Sequence, residues 1–247
     1  MKIRIAIVDD EELARKLLRE YLSVYEDVEV VAECANGFEA VKAVTDLKPD
    51  LLLLDIQMPR LNGFEVLELI GREAGVIFVT AYDQYALRAF DVHAVDYLLK
   101  PVSEERMREA LERARSRLAS KSAMVAPTQL SALARPAGAH LERVAIRDGA
   151  NVNVIPVSKI DYVEAQDDYV CFHAEGKRFL KQQTLAEIET SLDPAQFVRI
   201  HRSYILNIDR LAKLELYAKD SHAAILRNGT RLVVSRSGYA RLNAVLK

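Results

Sequence analysis

The first half of the chain alternates between short, wholly apolar runs and longer segments that are apolar on one face only. The runs predict strands buried on both sides, and the segments between them predict helices. The predicted strands are residues 3–8, 28–34, 51–55, 76–80 and 96–100, and the predicted helices are residues 12–24, 37–45, 64–70, 85–91 and 103–118. This alternation indicates an α/β fold with a five-stranded parallel, doubly wound sheet and right-handed crossovers.

Within these predicted helices, apolar side chains recur every three or four residues and predict the face turned toward the sheet. The residues expected to point inward are Leu13, Leu17, Leu18, Tyr21, Leu22, Phe38, Val41, Val44, Phe64, Val66, Leu67, Ile70, Met107, Leu111 and Leu118. Ser103 is the expected N-cap of the last helix.

The pattern changes in the second half to short strands separated by turn residues, which predicts a mostly β domain. The predicted strands are residues 143–147, 152–157, 160–165, 169–173, 178–182, 223–226 and 231–234, and the predicted helices are residues 185–192 and 238–246. Asn228 and Gly229 separate the last two strands and are a strong hairpin signal.

A stretch rich in small residues, Ser and Pro joins the two halves and predicts an extended or disordered linker. Within it, residues 129–135 could form a weak helical turn. The predicted domains are residues 2–118 and residues 140–247, joined by the linker at 119–139.

Composition adds a charge asymmetry to this picture. Residues 1–139 carry 18 Lys+Arg against 23 Asp+Glu, whereas residues 140–247 carry 16 against 13. An acidic half joined to a mildly basic half fits a cation-binding module fused to a polyanion-binding one.

Cys34 and Cys171 fall in strand-like runs and are interpreted as reduced core residues. No stretch is apolar enough for a membrane span or a signal peptide, which predicts a soluble, cytoplasmic protein.

Polar residues occupy the ends of four of the five predicted parallel strands. They are Asp9 and Asp10, Asp55, Thr80 and Lys100. Because ligands bind at the carboxyl ends of such strands, we expect these side chains to surround one site. Converging carboxylates repel one another unless a cation binds, and an oxygen-only set suits Mg²⁺. Together with a hydroxyl and an ammonium group, they predict a carboxylate nucleophile equipped for phosphoryl transfer.

Two other interpretations of Asp55 compete with this one. A lone Asp after a strand is more often a helix N-cap. An aspartyl-nucleophile phosphatase or dehalogenase also begins from such an Asp, but these enzymes place an acid two residues later, where this chain has Gln57.

The first half resembles the response-regulator receiver domain over residues 2–118, which implies a flavodoxin-like fold. The resemblance lies in Asp9-Asp10, in Asp55 with Met58-Pro59 and Gly63, in Thr80-Ala81, in Tyr97 and in Lys100-Pro101. It implies that Asp55 accepts a phosphoryl group from a sensor histidine kinase, and that Mg²⁺ is held by Asp10, Asp55 and the backbone carbonyl of Gln57, with Asp9 acting mainly through water. It further implies that Lys100 binds the phosphoryl oxygens, that Thr80 and Tyr97 form the switch, and that phosphorylation drives homodimerisation. The bond between Lys100 and Pro101 is a candidate cis peptide.

In the second half, two stretches place basic and hydroxyl groups between apolar residues. They are residues 197–207 and residues 233–237. Arginines beside hydroxyls can bind phosphates and recognise guanine edges, although an isolated basic cluster is more often a solvated strand face.

The region from Val144 to Leu246 resembles the LytTR DNA-binding domain. The resemblance lies in residues 160–165 with Tyr169-Val170, in residues 185–189, in residues 197–207 and in residues 234–236. It implies that loops of a mostly β domain enter successive major grooves of double-stranded DNA. The implied base or phosphate contacts are Asp168 or Tyr169, His201, Arg202 and Arg236, and further phosphate contacts are Lys181, Arg199 and Ser237. Arg199 could equally belong to a structural ion pair.

These resemblances predict a phosphorylation-controlled transcription regulator rather than an enzyme. A regulator whose basic domain binds protein or RNA is the remaining alternative, and the lack of an aromatic stacking stripe in the second half disfavours RNA.

Overall fold

A computed structural model describes residues 2–71, 73–82, 94–119, 140–218 and 221–246. The helix predicted at residues 85–91 and the predicted linker from residue 120 onward lie outside the described residues.

The first domain contains five strands and, in its described part, four helices. The strands are β1 (Ile3–Val8), β2 (Val28–Cys34), β3 (Leu51–Leu54), β4 (Gly75–Thr80) and β5 (Asp96–Leu99). The helices are α1 (Glu12–Ser23), α2 (Gly37–Leu47), α3 (Gly63–Ile70) and α4 (Glu104–Ala119). The sheet order is β2-β1-β3-β4-β5 and every neighbouring pair is parallel, which confirms the predicted flavodoxin-like arrangement.

The centre of this sheet is β3, whose four leucines are completely buried. Most of the predicted inward residues are buried against the sheet, including all four on α3. The prediction for Leu13 is wrong, because this side chain is 80% exposed. At about 100° per residue, Leu13 lies roughly opposite the buried Leu22, so the two cannot share one face. Leu17 is also exposed.

The last helix of the first domain runs slightly further than predicted. Helix α4 includes Ala119, which the sequence had placed in the linker, and Ser103 caps its start by accepting a hydrogen bond from the Arg106 amide at 3.3 Å. Met107 and Leu111 are buried as predicted, whereas Leu118 is exposed because it lies in the final turn.

The second domain is mostly β, as predicted. Its strands are β6 (Arg143–Asp148), β7 (Asn151–Pro156), β8 (Ile160–Gln166), β9 (Tyr169–Ala174), β10 (Lys177–Lys181), β11 (Phe197–His201), β12 (Tyr204–Asn207), β13 (Leu211–Ala218), β14 (Ser221–Leu226) and β15 (Arg231–Val234). Its helices are α5 (Leu185–Ser191) and α6 (Arg236–Leu246). The strands form an antiparallel sheet in the order β10-β9-β8-β12-β11, a three-stranded sheet β13-β14-β15 and the hairpin β6-β7.

Three of these strands, β11, β12 and β13, were not among the strands predicted from the sequence. Strands β11 and β12 are joined by Arg202 and Ser203. Arginine does not favour turns and serine favours them only weakly, so the usual Gly, Pro or Asn signal is missing. Helix α6 begins at Arg236, two residues before the predicted start at Gly238, because the backbone of Ser235 already accepts a helical hydrogen bond from Tyr239.

Both cysteines are free and buried, as the sequence predicted. Burial raises the pKa of the Cys34 thiol to about 12, so this thiol stays protonated at neutral pH. Among the described residues, no helix is long and apolar enough to cross a membrane.

Candidate functional sites

The carboxyl edge of the parallel sheet gathers the acidic residues that the sequence predicted there. Asp9 and Asp10 follow β1, and Asp55 follows β3, which is the neighbour of β1 in the sheet. One carboxylate oxygen from each of these three residues lies within 4.8 Å of the others. Asp9 and Asp55 are buried and Asp10 is exposed, so the cluster opens to solvent on one side.

Lys100 is the cation that partners the two buried carboxylates. Its Nζ lies 2.7 Å from Asp9 Oδ2 and 3.0 Å from Asp55 Oδ2. Burial by itself would lower the pKa of Lys100, but the hydrogen bonds to the two carboxylates outweigh it and raise that pKa. Burial also raises the pKa of Asp9, against the hydrogen bonds from Lys100 and from the Glu11 amide.

Two residues on β4 and β5 complete this edge of the sheet. The hydroxyl of Thr80, at the end of β4, is buried and has no hydrogen-bond partner within the described part of the chain. A buried hydroxyl without a partner is costly, which suggests a place for a further polar group. Tyr97 on β5 is half-buried, packs against Phe78 at a ring distance of 6.5 Å, and donates its hydroxyl to the Tyr82 carbonyl.

The loop after Asp55 is held close to the strand end by Gly63. The amide of Gly63 donates to the Ile56 carbonyl at 2.8 Å, and a Cβ on Gly63 would lie 2.4 Å from the Asp55 carbonyl oxygen. Asn62 and Glu65 then start α3 with a complete capping box. The sequence marked Gly63 only as a turn residue; its close approach to Asp55 depends on the tertiary fold. The bond between Lys100 and Pro101 is cis, as predicted.

In the second domain, the residues expected to contact DNA lie at one end of the five-stranded sheet. The β8–β9 turn carries Asp168 and Tyr169, both exposed, and the last residue of β10, Lys181, pairs with Val170 beside it. The β11–β12 turn reaches the same end, because the Ala165 amide donates to the Ser203 carbonyl at 2.9 Å. This second turn carries His201 and Arg202.

The start of α6 is fastened to the end of β11 through one carbonyl group. The Ile200 carbonyl accepts hydrogen bonds from the Ser235 amide at 2.8 Å and from the Ser235 hydroxyl at 3.1 Å. Gly238 packs so closely that a Cβ there would lie 1.9 Å from the same oxygen. The exposed residues Arg236 and Ser237 are therefore held next to the β11–β12 turn.

A cavity of about 420 Å³ adjoins that turn and the start of α6. It is lined by Glu189, Arg199, His201, Arg202, Ser235, Ser237 and Arg241. Three arginines and one glutamate line this cavity, which leaves an excess of positive charge suited to a polyanion. Sequence reasoning missed Arg241, because nothing in a solvent-facing helix residue indicates that it reaches a neighbouring strand.

Arg199 is engaged inside the protein. Its Nη1 lies 2.8 Å from Glu189 Oε2, its Nη2 donates to the Arg202 carbonyl at 3.1 Å, and its own carbonyl accepts from Arg241 Nε at 2.9 Å. Of the two roles that the sequence left open, a phosphate contact and a structural ion pair, these contacts favour the ion pair.

Comparisons with known proteins match both halves of the chain. The response regulator receiver domain matches residues 5–112, and the LytTr DNA-binding domain matches residues 150–247. The transcriptional regulatory protein BtsR of Escherichia coli is 36% identical over 95% of each chain, and the sensory transduction protein LytT of Bacillus anthracis is 30% identical over 99% of each.

Among solved structures, the REC domain of AraT, a response regulator from Geobacillus stearothermophilus, is 32% identical with a TM-score of 0.46, covering 50% of this chain and all of that one. The relative from Escherichia coli is named as a transcriptional regulatory protein, in agreement with the expectation of a regulator rather than an enzyme. The chain belongs to the two-component response regulators that join a receiver domain to a LytTR DNA-binding domain and regulate transcription.

Proposed function

We propose that Asp55 accepts a phosphoryl group from a sensor histidine kinase, and that the modified protein dimerises and binds repeated sites on double-stranded DNA. The observation that carries this proposal is the grouping at one sheet edge of three carboxylates, Lys100 and the buried hydroxyl of Thr80, which has no partner among the described residues. We also propose that the chain divides into domains close to the predicted bounds, residues 2–118 and 140–247, with Ala119 added to the first as the end of α4, and that the protein works in the cytoplasm.

The acidic cluster fits Mg²⁺ because it offers only oxygen ligands and has an exposed member facing solvent. Asp10, Asp55 and the carbonyl of Gln57 would hold the ion, with Asp9 behind them. When bound, Mg²⁺ neutralises negative charge on the transferring group.

The transfer itself needs a nucleophile and a receptor for the phosphoryl oxygens. An Asp55 carboxylate oxygen bonds to phosphorus as the phosphorus–nitrogen bond of the donor's phosphohistidine breaks, and the released imidazole takes up a proton. Lys100, already 3.0 Å from Asp55, would hold one phosphoryl oxygen, and the Thr80 hydroxyl would donate to another. The new hydrogen bond to Thr80 would favour one arrangement of the β4 end, with Tyr97 following it inward.

The second domain would then bind DNA through the turns at one end of its sheet. Asp168, Tyr169, His201, Arg202 and Arg236 are the proposed contacts, with Lys181 and Ser237 on the phosphates; Arg199 is proposed to position the β11–β12 turn. The modest excess of basic residues in this half favours binding by two copies on repeated half-sites.

Footprinting of genomic fragments with and without acetyl phosphate tests the proposed function. We expect protected sites in pairs, with protection at lower protein concentration once the phosphodonor and Mg²⁺ are present. Protection that is absent, or that does not change with phosphorylation, would contradict the proposal.

Arg202→Ala and Arg236→Ala are each expected to weaken specific binding by about 1–3 kcal/mol, because each removes a guanidinium able to contact a base edge. Gel shifts with the footprinted site measure the effect. Arg178→Ala, which removes an exposed arginine on β10, serves as the charge-matched control. Unaltered affinity in both variants would remove these residues from the interface.

Glu189→Gln is expected to lower the ratio of specific to non-specific affinity by roughly two- to fivefold, the equivalent of about 0.5–1 kcal/mol. The reason is that a neutral amide holds Arg199, and through it the β11–β12 turn, less firmly. Loss of a negative charge near DNA would by itself strengthen binding to every sequence.

Gel shifts with specific and scrambled duplexes separate these two effects of Glu189→Gln. The variant Glu142→Gln, at an exposed position, controls for charge alone. An equal gain of affinity for both duplexes would mean that the ion pair does not position the turn.

A further inference from the structure

The protonation of the His201 ring follows from its neighbour in the β11–β12 turn. The Ser203 amide donates to His201 Nδ1 at 3.2 Å. Because a backbone amide can only donate, Nδ1 must be the unprotonated nitrogen, and the neutral ring then carries its proton on Nε2. Turning the ring over would place a carbon opposite the Ser203 amide and remove this hydrogen bond.

Packing also fixes the ring of His201 in place. The Tyr204 ring lies 5.7 Å from it, and the Tyr204 hydroxyl in turn lies 3.4 Å from Glu164 Oε1 on the neighbouring strand β8. In the described part of the protein, Nε2 of His201 has no hydrogen-bond partner, and the side chain is half-exposed beside Arg202. The turn therefore presents an oriented N–H donor next to a guanidinium, and neither group can accept a hydrogen bond.

The major-groove edges of the four bases differ in how many hydrogen-bond acceptors they offer to two adjacent donors. Guanine offers two acceptors, N7 and O6, whereas adenine and cytosine both expose an amino donor and thymine pairs one acceptor with a methyl group. We propose that the β11–β12 turn recognises a guanine, with Nε2–H of His201 donating to N7 and the guanidinium of Arg202 donating to O6. This inference rests on the proposed DNA-binding function and names the base that the turn selects.

A backbone phosphate is also an acceptor, so the experiment must separate base from phosphate. Once a footprint has given the site, each guanine in it is replaced in turn by 7-deazaguanine, which lacks the N7 acceptor and leaves every phosphate in place. We expect at least one position per half-site at which the replacement weakens binding of the unaltered protein by about fivefold or more.

The variant His201→Phe links that position to this side chain while keeping an aromatic ring against Tyr204. It should bind the natural site less tightly by a similar factor and lose nothing further on the 7-deazaguanine duplex. His140→Phe, at an exposed position before β6, should behave like the unaltered protein. Circular dichroism melts check that each variant folds, and the 7-deazaguanine series on the unaltered protein needs no variant at all.

Two results would overturn the inference in distinguishable ways. If every 7-deazaguanine duplex binds normally while His201→Phe weakens binding to all sequences alike, His201 contacts phosphate and the guanine assignment is wrong, although DNA binding stands. If no sequence is protected in the footprint, the proposed function fails and the inference fails with it.

Discussion

Asp55→Asn is expected to abolish phosphorylation by acetyl phosphate and to remove its effect on DNA binding. An amide is no nucleophile toward phosphorus at neutral pH, and it offers Mg²⁺ a neutral ligand in place of a carboxylate. Intact-mass measurement should show a gain of about 80 Da that requires Mg²⁺ in the unaltered protein and is absent from the variant. The loss should be complete, because Asp9, the other buried carboxylate that contacts Lys100, is completely enclosed and cannot reach a phosphodonor.

Asp50→Asn provides the matched control, because Asp50 precedes the same strand at its opposite end. Its carboxylate accepts a hydrogen bond from the Arg4 amide at 2.8 Å, a contact that an asparagine oxygen can keep. This variant should be phosphorylated normally. If Asp55→Asn gains the same mass as the unaltered protein, the phosphoacceptor is a different residue and the proposed function is wrong.

Gly238→Ala is expected to have the largest effect in the second domain. The added methyl group would lie 1.9 Å from the Ile200 carbonyl oxygen, which is a backbone atom and cannot move aside as a side chain can. The start of α6 must then shift away from β11, breaking the hydrogen bonds between Ser235 and Ile200. We expect the free energy of unfolding to fall by about 1–3 kcal/mol, and specific DNA binding to fall with it.

Urea denaturation of the full chain and gel shifts measure the two consequences of Gly238→Ala. The control is Ala240→Ser, which adds one atom at an exposed position of the same helix. If Gly238→Ala keeps both the stability and the affinity of the unaltered protein, the contact between α6 and β11 does not hold the start of α6 against the β11–β12 turn.

The strand pattern predicted the first domain well, because the fold there follows from features that repeat along the chain. Apolar runs such as the one before Asp55 mark buried parallel strands, and parallel strands bring their carboxyl ends to one edge. The positions of Asp9, Thr80 and Lys100 follow from that geometry. Leu13 is an exception to the apolar pattern, since an apolar residue in an amphipathic helix need not lie on the face that the sheet covers.

The second domain shows what a sequence pattern does not contain. The contacts that fix its proposed DNA-binding turns join residues far apart in the chain, such as Ile200 with Gly238 and Arg199 with Arg241. Nothing local distinguishes Gly238 from any other glycine, or Arg199 from any exposed arginine. The turn at Arg202 escaped prediction for a related reason: its shape is imposed by pairing of β11 and β12, not by turn-forming residues.

The single carbonyl of Ile200 that holds Ser235 has an evolutionary consequence for the promoters under this regulator's control. Because this contact keeps the β11–β12 turn and the start of α6 at a fixed separation, an inserted or deleted base pair inside one recognition element should abolish specific binding. Under the proposed binding by two copies, the distance between the two elements would be set instead by how the copies associate. Comparison of promoters should therefore reveal an invariant internal layout, with any drift in length confined to the spacer.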